Sequence, residues 1–318
     1  MKPNIRIYII LFVIGLAVSY FVSDSEQDQA QSGQKWLSLK ANEFQSLRYQ
    51  DNKGGILEIQ RLPKTGYWAS YAPNGQAPEG FKVRNTIDDL IKFWADLRVL
   101  RVIGATDEVQ LEDYDLAESE HTLQLQFGEN NFRYIVGKKG FQSQDHFILD
   151  QQKNQVLMIS RRGLQALQNA KNELYERDIL VVDLEKIDRI EVEGKDKKLV
   201  FKGLGKGSGQ ELRWIREGLE SEDDETASSW MNRMLRLQIR AYEDHTENTR
   251  FDDLESVLHF RFFDKDKQLE EMQIRSTISS DEQKREYRLK SENTYGYVRL
   301  YDSRLETLIN DFEAMESN

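Results

Sequence analysis

The sequence predicts an α+β chain in which an N-terminal transmembrane helix is followed by two tandem copies of an antiparallel-sheet-plus-helix unit. Three observations predict it. An uncharged apolar run fills Ile7 to Val22, hydrophobic residues alternate at period two through most of the remainder, and the second half replays the order of the first at an offset near 140 residues. The expected organisation is a cytoplasmic tip and anchor over 1–22, a polar tether over 23–35, a first repeat over 36–178 and a second over 179–318.

At about 1.5 Å per helical residue the apolar run reaches roughly 24 Å, a little short of the ~30 Å hydrocarbon core. Tyr8 and Tyr20 suit the interfaces, and Arg6 can snorkel. Lys2 and Arg6 precede the run while Asp24, Glu26 and Asp28 follow it. The positive-inside bias therefore leaves the N-terminus in the cytoplasm and the body outside, as a single-pass inner-membrane protein with a periplasmic or extracellular C-terminal domain. A cleaved signal peptide is the alternative, because Ala17-Val18-Ser19 has the small-residue spacing of a cleavage site, although the run continues through Tyr20-Phe21-Val22. Either reading exports the body.

Composition fits that compartment. With no cysteine, disulfides, thiol catalysis and cysteine metal sites are excluded, so packing alone must stabilise the fold. A net charge of −11 makes nucleic acid an improbable partner, since the phosphate backbone repels such a surface. Ser23 to Lys35 has no hydrophobic period and reads as a tether.

In the first repeat, Phe44 to Tyr49 and Ile56 to Arg61 flank the turn residues Asp51-Asn52-Lys53-Gly54-Gly55, a hairpin signal. Gly66 to Tyr71 makes a third strand, and a loop with Pro73, Gly75, Pro78 and Gly80 follows. Asn85 or Thr86 can then cap a helix that sets Ile87, Leu90, Ile91, Trp94 and Leu97 on one face. Strands over Val99 to Ile103, Leu123 to Phe127, Phe132 to Val136, Phe147 to Leu149 and Val156 to Ile159 lead to a helix over Gly163 to Leu174.

The second repeat keeps this order. Ile187 to Val192 and Leu199 to Phe201 form a hairpin, and Leu212 to Ile215 stands where Gly66-Tyr67-Trp68 stood. A helix from Thr226 presents Ala227, Trp230, Met231, Met234 and Leu237, each 140 residues after its counterpart from Ile87 to Leu97. Leu258 to Phe262, Tyr287 to Leu289, Tyr297 to Tyr301 and a final helix with Leu305 and Leu308 complete the parallel.

On two stretches, Asp183 to Val192 with Trp214, and Gly66-Tyr67-Trp68 with Leu97 to Val102, the chain resembles the bacterial domain-of-unknown-function family 4340. The resemblance implies a membrane helix ahead of an exported domain, often encoded beside a gliding-motility-type ABC transporter and its auxiliary exported subunit. It implies no catalytic residue.

Motif searches return no chemistry. Gly203 to Gly209 lacks the spacing of a phosphate-binding loop, His121, His146, His245 and His259 lack metal-ligand spacing, and the acidic clusters at Glu217 to Glu225 and Asp264 to Glu271 do not make a calcium loop. No cofactor and no enzyme activity are expected. One patch is a candidate partner-binding face: in an extended strand Tyr295, Tyr297, Arg299 and Tyr301 share one side, with Val298 and Leu300 on the other. Tyr and Arg are the residue types of interface hot spots. The expected function is a membrane-anchored exported scaffold or interaction subunit of an envelope complex, associated with integral membrane proteins such as an ABC-type transporter or its auxiliary subunit. The alternative is an exported small-ligand-binding protein using the cleft between the repeats.

Overall fold

The computed structural model describes residues 33–62, 66–204, 213–219, 224–243, 251–278 and 285–315, which divide into two compact units. The first spans residues up to Glu79 and Val83–Tyr175; the second takes in Gly80–Lys82 and everything from Glu176.

In chain order the first half contains β1 (Gln34–Lys35), β2 (Phe44–Gln50), β3 (Ile56–Arg61), β4 (Tyr67–Ala72), β5 (Glu79–Lys82), α1 (Ile87–Ala95), β6 (Arg98–Val99), β7 (Arg101–Ala105), β8 (Thr122–Phe127), β9 (Asn130–Lys139), β10 (His146–Asp150), β11 (Gln155–Ile159), α2 (Arg162–Gln168) and α3 (Ala170–Glu173). From β4 inwards its main sheet runs β4-β3-β2-β8-β9-β10-β11-β7, every pair antiparallel. The remaining strands are β12 (Arg189–Glu193), β13 (Lys198–Leu204), β14 (Arg213–Arg216), β15 (Ala241–Tyr242), β16 (Glu255–Asp264), β17 (Lys267–Ile278), β18 (Arg285–Ser291) and β19 (Tyr297–Arg299), with α4 (Glu225–Leu235) and α5 (Asp302–Ala314). Their sheet runs β14-β13-β12-β16-β17-β18-β19-β15. Taken strand by strand in chain order, the two sheets have the same permutation.

Alternation explains the strands. β8 buries Leu123, Leu125 and Phe127 and turns Thr122, Gln124 and Gln126 outward; β16 does the same with Leu258, Phe260 and Phe262. Each sheet therefore has one apolar face, and a helix covers it. In the first unit α1 buries Ile87, Leu90, Ile91 and Trp94, and the Trp94 indole donates to the Gly163 carbonyl of α2 at 3.0 Å. Gly163 permits that approach, since a Cβ there would lie 2.5 Å from the Phe93 ring. In the second unit the Trp230 indole of α4 donates to the Leu308 carbonyl of α5 at 2.8 Å, and its ring stacks on Phe201 with centroids 5.5 Å apart.

The expected class is corrected. The described residues form mostly antiparallel sheet, and no helix among them is long and apolar enough to cross a membrane. The reason is that these helices run 4 to 13 residues and are apolar on one side only, the side that meets a sheet. The run Ile7 to Val22, together with tether residues 23–32, the glycine stretch from 205, the acidic residues 220–223, and Asp244 with His245, lies outside the described residues.

Smaller differences have local causes. The loop expected after Pro73 contains β5, whose Phe81 is fully buried. The helix expected over Gly163 to Leu174 is interrupted at Asn169. Thr86 stands at the start of α1 but its hydroxyl donates to the Glu173 carbonyl instead of capping the helix. The helix expected from Thr226 starts one residue earlier, at Glu225, and is capped by Asp224: its carboxylate accepts from the Ala227 amide at 3.1 Å and from Arg216 Nε at 2.7 Å. Burial works to raise the Asp224 pKa, but those hydrogen bonds and the Arg216 charge outweigh it and hold the group below the usual carboxylate range.

Trp230→Ala should cost about 3–5 kcal/mol of stability, by cavity formation and by loss of the indole hydrogen bond to the Leu308 carbonyl. Urea unfolding followed by circular dichroism measures it; a loss below about 1 kcal/mol would contradict the central role given to this side chain.

Candidate functional site

β19 is an interior strand, between β18 and β15. Val298 and Leu300 are buried, so Tyr297 and Arg299 occupy the opposite face. The strand brings only these two of the four sequence-selected residues together. Tyr295 lies in the turn before it, at φ 42° and ahead of Gly296 at φ 100°, and Tyr301 begins α5, its exposed ring flanked by Arg240 and Arg304 at 5.5 and 5.4 Å.

Around Tyr297 and Arg299 the sheet register assembles residues that sequence reasoning had not selected. Lys290 pairs with Tyr297 across β18, and Arg288 with Arg299. The Tyr297 ring stacks on Phe251, 6.0 Å between centroids, and Phe251 also carries Arg275 at 5.0 Å and Lys290 at 5.7 Å. Glu243 binds Arg288 at 2.5 Å and Arg299 at 3.6 Å; Glu286 binds the same two arginines at 2.9 and 3.7 Å. The result is a stacked aromatic pair bordered by four cations and two carboxylates. The available signal was the alternation of Glu286, Arg288 and Lys290 along one outward face of β18.

The first unit holds a second cluster. Tyr49 Oη and His121 Nε2 are hydrogen-bonded at 2.7 Å in the interior, and His146 Nε2 lies 3.5 Å from Gln168 Nε2. Burial, followed by the charge of His146, pulls the His121 pKa down to about 4, and burial lowers that of His146 as well. Burial raises the Tyr49 pKa. At neutral pH this is a set of neutral polar groups, opening at His121 into a groove of about 580 Å³ whose rim carries Glu112, Asp115, Glu118 and Glu120. No group of side chains suited to holding a metal ion occurs among the described residues.

These sites lie within, or border, a stretch of known lineage. The family model described as a domain of unknown function, DUF4340, matches residues 68–292. The chain belongs to that family. The matched stretch includes α1, the His121 and His146 positions, and Arg275 and Arg288, whereas Tyr49 precedes it and Tyr297 and Arg299 follow it. No curated protein and no solved structure matches the chain.

The histidine cluster generates a pH dependence. The folded His121 pKa of about 4 lies below the unfolded value of 6.5, so between those pH values the unfolded chain binds a proton that the folded chain does not. Stability is full above about pH 6.5 and is lost as pH falls towards 4, by about 3 kcal/mol. His121→Gln should flatten this decline, measured by urea unfolding at pH 7 and pH 4.5; an unchanged pH profile would assign the acid sensitivity to other groups.

Proposed function

We propose that the protein is an exported interaction or scaffold subunit of an envelope complex, and that it holds integral membrane partners, such as an ABC-type transporter or its auxiliary subunit, through the face built on Tyr297 and Arg299. The observation that carries this reading is the stacked Phe251–Tyr297 pair bordered by Arg275, Lys290 and Arg299. Tyr and Arg dominate interface hot spots because they combine large contact area with directional polar groups. The complementary partner surface would offer an apolar slot for Tyr297 and acidic groups for the arginines and Lys290. Export rests on the apolar run after Lys2 and Arg6, and the transporter association on the family resemblance.

The test is chemical cross-linking and recovery of partners from native membranes. Changing Tyr297 and Arg299 together to Ala should reduce recovery about 10-fold or more, in line with losses of roughly 1–4 kcal/mol at hot spots. Circular dichroism should be unchanged, since neither side chain enters the sheet's apolar face. Undiminished recovery with the folded double variant would eliminate this face, and a turnover activity abolished by one His or Asp substitution would replace the scaffold reading altogether.

A further inference from the structure

The outward face of the first unit's sheet differs in kind from that of the second. Register places Glu58, Arg48, Gln124 and Arg133 in one row across β3, β2, β8 and β9, and Gln60, Ser46, Gln126 and Asn131 in the next. Between the rows is a groove of about 380 Å³, within the range of small-ligand sites, and none of its described lining residues is acidic. This is a local inversion in a chain of net charge −11.

The polar groups there are only partly used. Arg48 pairs with Glu58 at the edge of the row, Ser46 Oγ donates to Gln126 Oε1 at 3.2 Å, and Gln152 donates to the Asn131 carbonyl. Among the described residues, the exposed Arg133 guanidinium and the Gln124 amide beside it make no hydrogen bond or ion pair. On the second unit's sheet the corresponding outward rows are matched internally. Glu191 takes Arg189, Lys198 and Arg261, Glu193 takes Arg261, and His259 meets Glu271 at 2.9 Å. One sheet face satisfies its own charges, whereas the other leaves a cation and an amide directed at a groove.

We propose that this groove is a binding site for a small acidic saccharide, its acid group on Arg133 and its hydroxyls on Gln124, Gln126 and Asn131. A guanidinium fork matches a carboxylate or phosphate with two parallel hydrogen bonds. Primary amides supply both donors and acceptors, which is what a hydroxyl needs. The site is independent of the Tyr297–Arg299 face and of any protein partner held there.

Isothermal titration of the full chain with a galacturonic acid disaccharide, glucose 6-phosphate, glucose and sulfate tests this. At least one of the two acidic sugars should bind, and which one does names the acid group. Glucose and sulfate should bind at least 10-fold more weakly, because each lacks half of the recognition. Arg133→Ala should weaken binding at least 10-fold and Gln124→Ala several-fold, whereas Arg261→Ala on the second sheet should leave it unchanged. Circular dichroism checks that Arg133→Ala, an exposed change, stays folded. Absence of binding by both acidic sugars, equal binding by glucose or sulfate, or full retention of binding by folded Arg133→Ala would overturn the proposal.

Discussion

Each unit depends on a tryptophan indole that must be buried and must also find an acceptor. A cysteine-free chain has no covalent staples, so each half is held by covering the single apolar face of a sheet with short helices. Trp94 and Trp230 do this in the same way, each donating to a main-chain carbonyl of the unit's later helix. That bond fixes where the later helix lies against the earlier one, and the rings around Trp230, with Phe201 and Phe260 stacked and Phe312 tilted at 5.5 to 6.2 Å, set the depth of the second core. Without the acceptor, the indole would be a buried orphan donor, which costs more than the bond itself contributes.

With the inner faces committed to packing, the outer faces are free to differ, and they do. On the second sheet, carboxylates at Glu191, Glu243 and Glu286 each take more than one cation, which stiffens the surface around an aromatic pair. Arg288 and Glu243 are largely buried, so the cost of desolvating both charges offsets their attraction, and the main effect of the pairing is to order side chains. The first sheet instead exposes amides and two arginines. The same strand permutation thus presents one outer face whose charges are paired around an aromatic pair and another with a guanidinium, unpaired among the described residues, beside a groove.

Much of this architecture is legible locally. The core faces of α1 and α4 follow from apolar residues at helical spacing, and Val298 and Leu300 are buried as their alternation requires. The match of Trp94 with Met234 at a 140-residue offset is less informative, because the residue that does the work of Trp94 is Trp230, one turn earlier. Periodicity identifies a face but does not distinguish neighbouring turns on it. A similar limit applies to the start of α4, expected from Thr226 and found at Glu225 behind the cap Asp224, whose carboxylate is tied to Arg216.

The sequence by itself determined most of the strands, the amphipathic faces of α1 and α4, the absence of disulfides and the acidic charge, because each is a property of neighbouring residues or of composition. Only the tertiary structure decided which polar groups meet. His121 reaches Tyr49 across 72 positions, Phe251 reaches Tyr297, and Arg133 is set opposite Gln124 rather than a carboxylate, because cross-strand register and loop paths select those neighbours. A one-residue shift of register would leave composition and periodicity unchanged and would pair every outward side chain differently.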